Sequence, residues 1–182
     1  LQGFELTFAV NHLANQYLFE RIESLLYKSI SPRIVITSSE VHNPNSPGGR
    51  IGKPAGLGTL EGIIDGKRLT MVDGTSTFDA DKAYKDSKLC NILFAKELSK
   101  RFKKNGVSMP VIAWAPGLVI PRHDKGFFRY SRKYNELGQR FFSFIARDLL
   151  CITETPQKAG DLLCRLATSD EYKDPGFNYF SN

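Results

Sequence analysis

Apolar residues recur at helical spacing from Phe4 to Leu26: Phe8, Val10, Leu13, Tyr17 and Leu18, then Ile22, Leu25 and Leu26. That 3.6-residue period predicts a helix, with no capping residue read ahead of it. Ser29-Ile30-Ser31-Pro32 predicts a turn, and Arg33 to Ser38 is a β-branched run that is apolar on consecutive positions. Such a run suits a strand buried on both faces of a parallel sheet. From Glu40 to Phe78 the periodicity breaks into a long Gly-, Pro-, Asn- and Asp-rich stretch, in which only Leu57 to Ile64 suggests a short helix. Ala80 to Lys103 restores the helical period, with Leu89, Ile92, Leu93, Leu98 and Phe102 as its stripe and Asn105-Gly106 as its stop. Val107 to Ala115 predicts a second apolar strand, with Pro110 confining regular pairing to its later part. Pro121 to Arg147 is basic and aromatic and reads as helical after Lys133. Thr155 to Ala167 predicts an amphipathic helix, Pro175-Gly176 a turn, and Phe177 to Phe180 a last strand.

This alternation of helix and strand predicts an α/β fold with a parallel sheet and right-handed crossovers. In such sheets ligands bind beyond the carboxyl ends of the strands. Ser38-Ser39 and Pro116-Gly117 both follow predicted strands, so these two places are the first candidates for a site. The interrupted stretch 40–78 reads as an insert with a functional purpose, because compact domains rarely carry structureless loops of that length.

Composition narrows the class. With 182 residues the chain is long enough for one domain with a substantial core. Its 41% apolar and 24% charged content fits a globular protein, and no run approaches the ~20 apolar residues that span a bilayer. No signal-peptide pattern is read at the start. Cys90, Cys151 and Cys164 have neither paired nor metal-type spacing and are expected as buried free thiols in a reducing compartment. His12, His42 and His123 are scattered, so no metal site is expected. The net charge of +6 suits an anionic cofactor, an acidic substrate or a peripheral membrane contact, and equally plain solvation. No nucleic-acid-binding module is present in the pattern, so nucleic acid is not an expected partner.

The candidate chemistry lies in Tyr84-Lys85-Asp86-Ser87-Lys88. On a helix, Tyr84 and Lys88 stand one turn apart on one face. An ammonium beside a phenol favours the phenolate, so the tyrosine pKa is expected to fall from about 10 toward the working range. A phenol tuned in this way can donate or accept a proton. Taken alone, a Tyr-x-x-x-Lys pair also fits an ordinary helix surface.

In combination the residues resemble the short-chain dehydrogenase/reductase family. Val10-Asn11-His12-Leu13 is similar to the family's helix with the active-site Asn, and Arg33 to Ser39 to its strand with the active-site Ser. Tyr84-x-x-Ser87-Lys88 is similar to its signature helix, and Pro116-Gly117 to its cofactor-contacting turn. Within the family, Phe78 to Asn91, the Gly/Pro-rich insert and the ending Gly176 to Asn182 look most like the light-dependent protochlorophyllide reductase branch. The resemblance implies a Rossmann-type, doubly wound parallel sheet, of which this chain would be the carboxyl-terminal portion, a single incomplete domain with an insert at 40–78. The family's Gly-rich phosphate-binding turn is not found, and the strand at Arg33 to Ser38 is expected to expose an apolar edge.

The resemblance also implies roles. Tyr84 would donate the proton, and Lys88 would tune it and bind the nicotinamide ribose. Ser39, in preference to Ser38, would orient substrate or the Tyr84 hydroxyl, and Asn11 would position Lys88. Pro116, Gly117, Leu118 and Val119 would place backbone beside the cofactor. Leu118 stands where the protochlorophyllide enzymes carry Cys, and Ile120 and Pro121 stand where they carry Thr, which bears on the substrate. NADPH is the implied cofactor and protochlorophyllide the implied small-molecule substrate, with Phe127, Phe128, Phe141, Phe142 and Phe144 as candidate walls. A retinol-dehydrogenase-like carbonyl reductase and a non-catalytic piece remain open alternatives. Oligomerisation is compatible with either, and the branch implies a plastid or the cytoplasm of a photosynthetic cell.

Overall fold

A computed structural model describes residues 3–64, 71–120, 136–149 and 153–182. The chain forms two compact units: one comprises residues 1–115 with 170–181, and the other comprises 116–169 with 182.

In the first unit the chain enters through a single turn, Leu6–Phe8, and a π-helical segment, Ala9–Leu13, before α1, Ala14–Leu26. A cap does precede this helix: the Glu5 carboxylate accepts from the amides of Thr7 at 2.6 Å and Phe8 at 2.7 Å. Glu is a rare capping type, so the pattern Ser/Thr/Asp/Asn gave no warning of it. Next come β1, Ile34–Thr37, and a short helix α2, Glu61–Ile64. Then α3, Ala80–Lys104, leads to β2, Pro110–Ala115, and the unit closes with β3, Gly176–Ser181.

Helix α3 is the longest element and is well bounded. Asp79 caps it by accepting from the Lys82 amide at 3.0 Å. Arg101, Lys103 and Lys104 lie in its last turn, where cations meet the negative end of the dipole. Gly106 follows Asn105 with φ +68°, the left-handed conformation that ends a helix. Its core stripe is Ile92, Ala95, Leu98 and Phe102, packed with Ile36, Val111 and Ala113 of the sheet and with Met109 just before β2. Leu93 is exposed, so the stripe is narrower than expected.

The sheet is parallel with β2 in the middle, and Ile34–Thr37 pair with Val111–Trp114 in register. β3 pairs along the other side of β2, from Pro110↔Gly176 to Ala115↔Ser181. All six residues of β2 are buried, as a central parallel strand requires. The strand starts at Pro110 and not at Val107, because proline can open a strand but cannot donate within it. β1 departs from the expected burial on both faces. It is an edge strand in which only Ile36 is buried, and a groove of about 320 Å³ runs beside Ile34, Val35 and α1 residues Leu18 and Ile22. Among the described residues no strand pairs with the other side of β1, as expected.

The second unit contains α4, Glu136–Phe144, a π-helical segment, Ile145–Leu149, and α5, Pro156–Thr168. Thr155 caps α5 through the Lys158 amide at 3.1 Å, with Pro156 in its first turn. Val119 forms a parallel bridge with Glu154. Of the expected thiols, Cys90 is buried, but Cys164 is exposed on α5. Its polar neighbour Thr168 lies on the same helical face, so that position belongs to the wet side. Cys151 and His123 lie outside the described residues.

Candidate active site

The site is built where β1 ends against the first turns of α3. Tyr84, Ser87, Lys88 and Asn91 share one face of α3 by their i, i+3, i+4 and i+7 spacing. Leaving β1, the chain sets two serines against that face in opposite senses. Ser38 is buried and its hydroxyl donates to the Lys88 carbonyl at 3.0 Å, which ties the strand to the helix backbone. Ser39 is the one that hydrogen-bonds the Tyr84 hydroxyl.

The Lys88 ammonium lies 5.5 Å from the centroid of the Tyr84 ring and donates to the Thr37 carbonyl at 3.3 Å. Tyr84 does not carry the lowered pKa that the spacing predicts. Burial pushes its phenol up, and the hydrogen bond with Ser39 opposes this without cancelling it. Burial likewise pulls Lys88 below its ordinary value. Desolvation disfavours charge on both partners, and the ammonium sits over the ring. Both shifts run opposite to those of a charge-stabilised phenolate–ammonium pair, so the phenol holds its proton more firmly than an exposed tyrosine does.

Asn11 occupies the π-helical segment, where the widened turn redirects backbone groups. Its amide donates to the Ser87 hydroxyl at 3.1 Å, and Ser87 donates to the Tyr84 carbonyl at 2.7 Å. The Asn11 carbonyl accepts from Asn91 at 3.1 Å and from Asn15 at 2.6 Å. Asn91 was given no role from the sequence, yet it is central. Its amide also donates to the Thr37 carbonyl at 3.1 Å, the same oxygen that receives Lys88, and its own oxygen meets His12 Nδ1 at 3.1 Å. Because Asn91 Oδ1 can only accept, His12 carries its proton on Nδ1. The seven-residue spacing from Tyr84 was the available signal, since it returns Asn91 to the tyrosine face.

Tyr84, Lys88, Ser39 and Asn11 thus gather within the first unit. Pro116, Gly117, Leu118 and Val119 belong to the second unit. There Gly117 adopts φ +79°, and a Cβ at that position would lie 3.3 Å from Glu154 Cγ. The Leu118 carbonyl accepts from the Glu154 amide at 2.9 Å. Of the expected aromatic walls, Phe141, Phe142 and Phe144 are exposed on α4, whereas Phe127 and Phe128 lie outside the described residues.

The chain is 41% identical over 134 residues to protochlorophyllide reductase A, chloroplastic, of Oryza sativa subsp. japonica, covering 70% of this chain and 33% of that protein. It is 37% identical over 170 residues to protochlorophyllide reductase of Avena sativa, covering 89% and 53%. By sequence, the chain resembles the protochlorophyllide reductases. It spans between about a third and a half of the length of these relatives. No protein-family model matches it.

Solved structures carry the fold. The 3-alpha-hydroxysteroid dehydrogenase from Pseudomonas sp. B-0831, complexed with NADH, superposes with a TM-score of 0.61 at 20% identity, over 95% of this chain and 63% of that one. A short chain dehydrogenase from Shigella flexneri, complexed with NADP, gives 0.54 at 19% identity over 96% and 51%. The fold is the Rossmann-type α/β fold of the short-chain dehydrogenases, of which this chain carries a three-stranded parallel portion.

Proposed function

We propose that this chain provides the proton-donating part of an NADPH-dependent oxidoreductase that reduces a ring carbon–carbon double bond of protochlorophyllide. The observation that carries the reading is the cluster itself: a half-buried phenol, Tyr84, hydrogen-bonded by Ser39 and flanked by the Lys88 ammonium. The similarity to protochlorophyllide reductases supports the substrate.

In this reading Tyr84 keeps its proton until charge develops on the substrate carbon, then donates it. Ser39 fixes the direction of the hydroxyl. Lys88 stabilises the phenolate left behind, which is worth most where water is excluded. Asn91 and Asn11 hold the Thr37 carbonyl and the first turns of α3, which keeps Lys88 aimed. Donor chemistry at the site fits a nicotinamide nucleotide. Among the described residues no carboxylate pairs with Lys88, so its remaining donors suit the ribose hydroxyls. When bound, the cofactor supplies the hydride. Pro116 to Val119 would contribute backbone contacts to it, with Gly117 in a conformation that favours glycine. The chain's length relative to its relatives supports reading it as one portion of a longer enzyme, with the phosphate-binding turn supplied elsewhere.

The experiment mixes the complete enzyme with NADPH and protochlorophyllide and follows the absorption spectrum in darkness and then under illumination. Conversion of the pigment only in the light is expected. No spectral change in the light, together with dark oxidation of NADPH by an aldehyde, would establish a carbonyl reductase instead.

A further inference from the structure

The back of the tyrosine helix carries charges that the chemistry above does not use. Lys85 and Asp86 are wholly inaccessible and Lys82 nearly so. At about 100° per residue, Lys82 and Asp86 lie about 160° to either side of Tyr84, on the opposite face of α3, and Lys85 lies about 100° round, on its flank. Such positions on a long helix are normally solvated. Here they are covered by the insert.

Each ammonium has its three donors filled. Lys82 Nζ donates to the Gly56 carbonyl at 2.7 Å and pairs with Asp86 at 2.6 Å and Asp73 at 3.0 Å. Lys85 Nζ donates to the carbonyls of Ile51 and Lys53, the latter at 3.0 Å, and pairs with Asp81 at 2.6 Å. Asp86 Oδ1 receives the Gly56 amide at 2.8 Å. Every partner outside the helix therefore comes from two strips of the insert, 51–56 and Asp73. The approach is close: Gly52 has φ +67°, and a Cβ there would stand 3.0 Å from Asp81 Oδ2.

A buried ion pair contributes little net stability compared with apolar packing, but its directional bonds specify register. We infer that the insert is an ionic clasp on the back and flank of α3, and that Lys82, Lys85 and Asp86 are positioning residues that fix where Tyr84 stands on the front. None of the three is available to a substrate carboxylate or a phosphate. The inference takes its catalytic meaning from the reading of Tyr84 above, but its test does not depend on turnover.

The test uses the 182-residue chain and its Lys82→Met and Asp86→Asn variants, with exposed Lys100→Met as control. Hydrogen exchange is followed in peptides covering 51–58 and 92–104. In parallel, tyrosine ionisation is followed by ultraviolet absorbance, and Tyr84 is isolated as the difference between each chain and its Tyr84→Phe partner. The clasp predicts exchange about tenfold faster or more in 51–58, the scale of one lost hydrogen bond to a charged group, with 92–104 unchanged. It also predicts that Tyr84 titrates nearer the ordinary tyrosine value in the two variants and not in the control. Unchanged exchange in the insert overturns the clasp. Faster exchange with an unmoved Tyr84 titration overturns the positioning role. Should either variant fail to fold, Gly52→Ala disturbs the Lys85 arm more gently and is read by the same two criteria.

Discussion

Helix α3 carries two lysine environments within seven residues. On the back and flank, Lys82 and Lys85 are buried among carboxylates and carbonyls with every donor used. On the front, Lys88 is half-buried, held by one carbonyl at 3.3 Å, and stands over the Tyr84 ring. Burial acts on both sides with opposite results. For Lys82, burial pulls the pKa down, but the hydrogen bonds and charges of Asp86 and Asp73 outweigh it, and the value rises. Lys88 has no such compensation and its value falls. The same residue type therefore serves as a fixed anchor on one face and as an adjustable charge on the other, and the difference lies in the partners, not in the burial.

The largest effect should come from breaking the anchor. Asp86→Ala leaves Lys82 buried with half its charge partners, and losing one member of a buried pair costs about 3–5 kcal/mol. Urea unfolding of the 182-residue chain should show that loss as a lower midpoint, while Lys88→Met should shift the midpoint far less. On the front face the expectation reverses. In the complete enzyme Tyr84→Phe should cut turnover by about 10²–10⁴-fold, the usual worth of a general acid, and leave cofactor affinity and stability largely unchanged. Retention of most activity would remove Tyr84 from its role.

Smaller changes sharpen the contrast. Gly52→Ala should cost about 1–2 kcal/mol through its left-handed conformation alone, read again as a urea midpoint. The smallest effect concerns His12, which lies beside Asn91 between the aromatic rings of Phe8 and Phe94. Burial holds its pKa below the ordinary 6.5, against the raising effect of its hydrogen bond to Asn91. The folded chain then binds fewer protons than the unfolded chain just below pH 6.5. Stability is level above that pH and falls as the pH drops through 6.5 toward the lower folded value. His12→Asn should flatten that part of the pH–stability curve.

Much of this was readable from residue order. Helix and strand periods located α1, α3, α5 and all three strands, because each has a long or consecutive apolar signature. The nearness of the front-face residues was legible for the same reason, since Tyr84 and Lys88 lie a turn apart and Ser39 directly follows a strand. What could not be read was anything set by desolvation. Spacing predicted a lowered Tyr84 pKa, but it reports only proximity, and burial reversed the sign. Nothing in the pattern singled out Lys82, Lys85 and Asp86, because their partners in the insert are mostly backbone carbonyls and amides, which leave no trace in side-chain patterns. Asn91 was missed because its two acceptors, Asn11 O and Thr37 O, are also backbone atoms.

The contrast between the two faces is tested most directly by competitive labelling of lysines with trace acetic anhydride across pH, each site quantified by peptide mass spectrometry on the folded 182-residue chain. Lys88 should become reactive below the ordinary lysine value of 10.5, while Lys82 and Lys85 stay unlabelled until denaturant is added. Labelling of Lys85 in the folded chain at the rate of an exposed lysine, or a Lys88 that titrates at the ordinary value, would contradict the account.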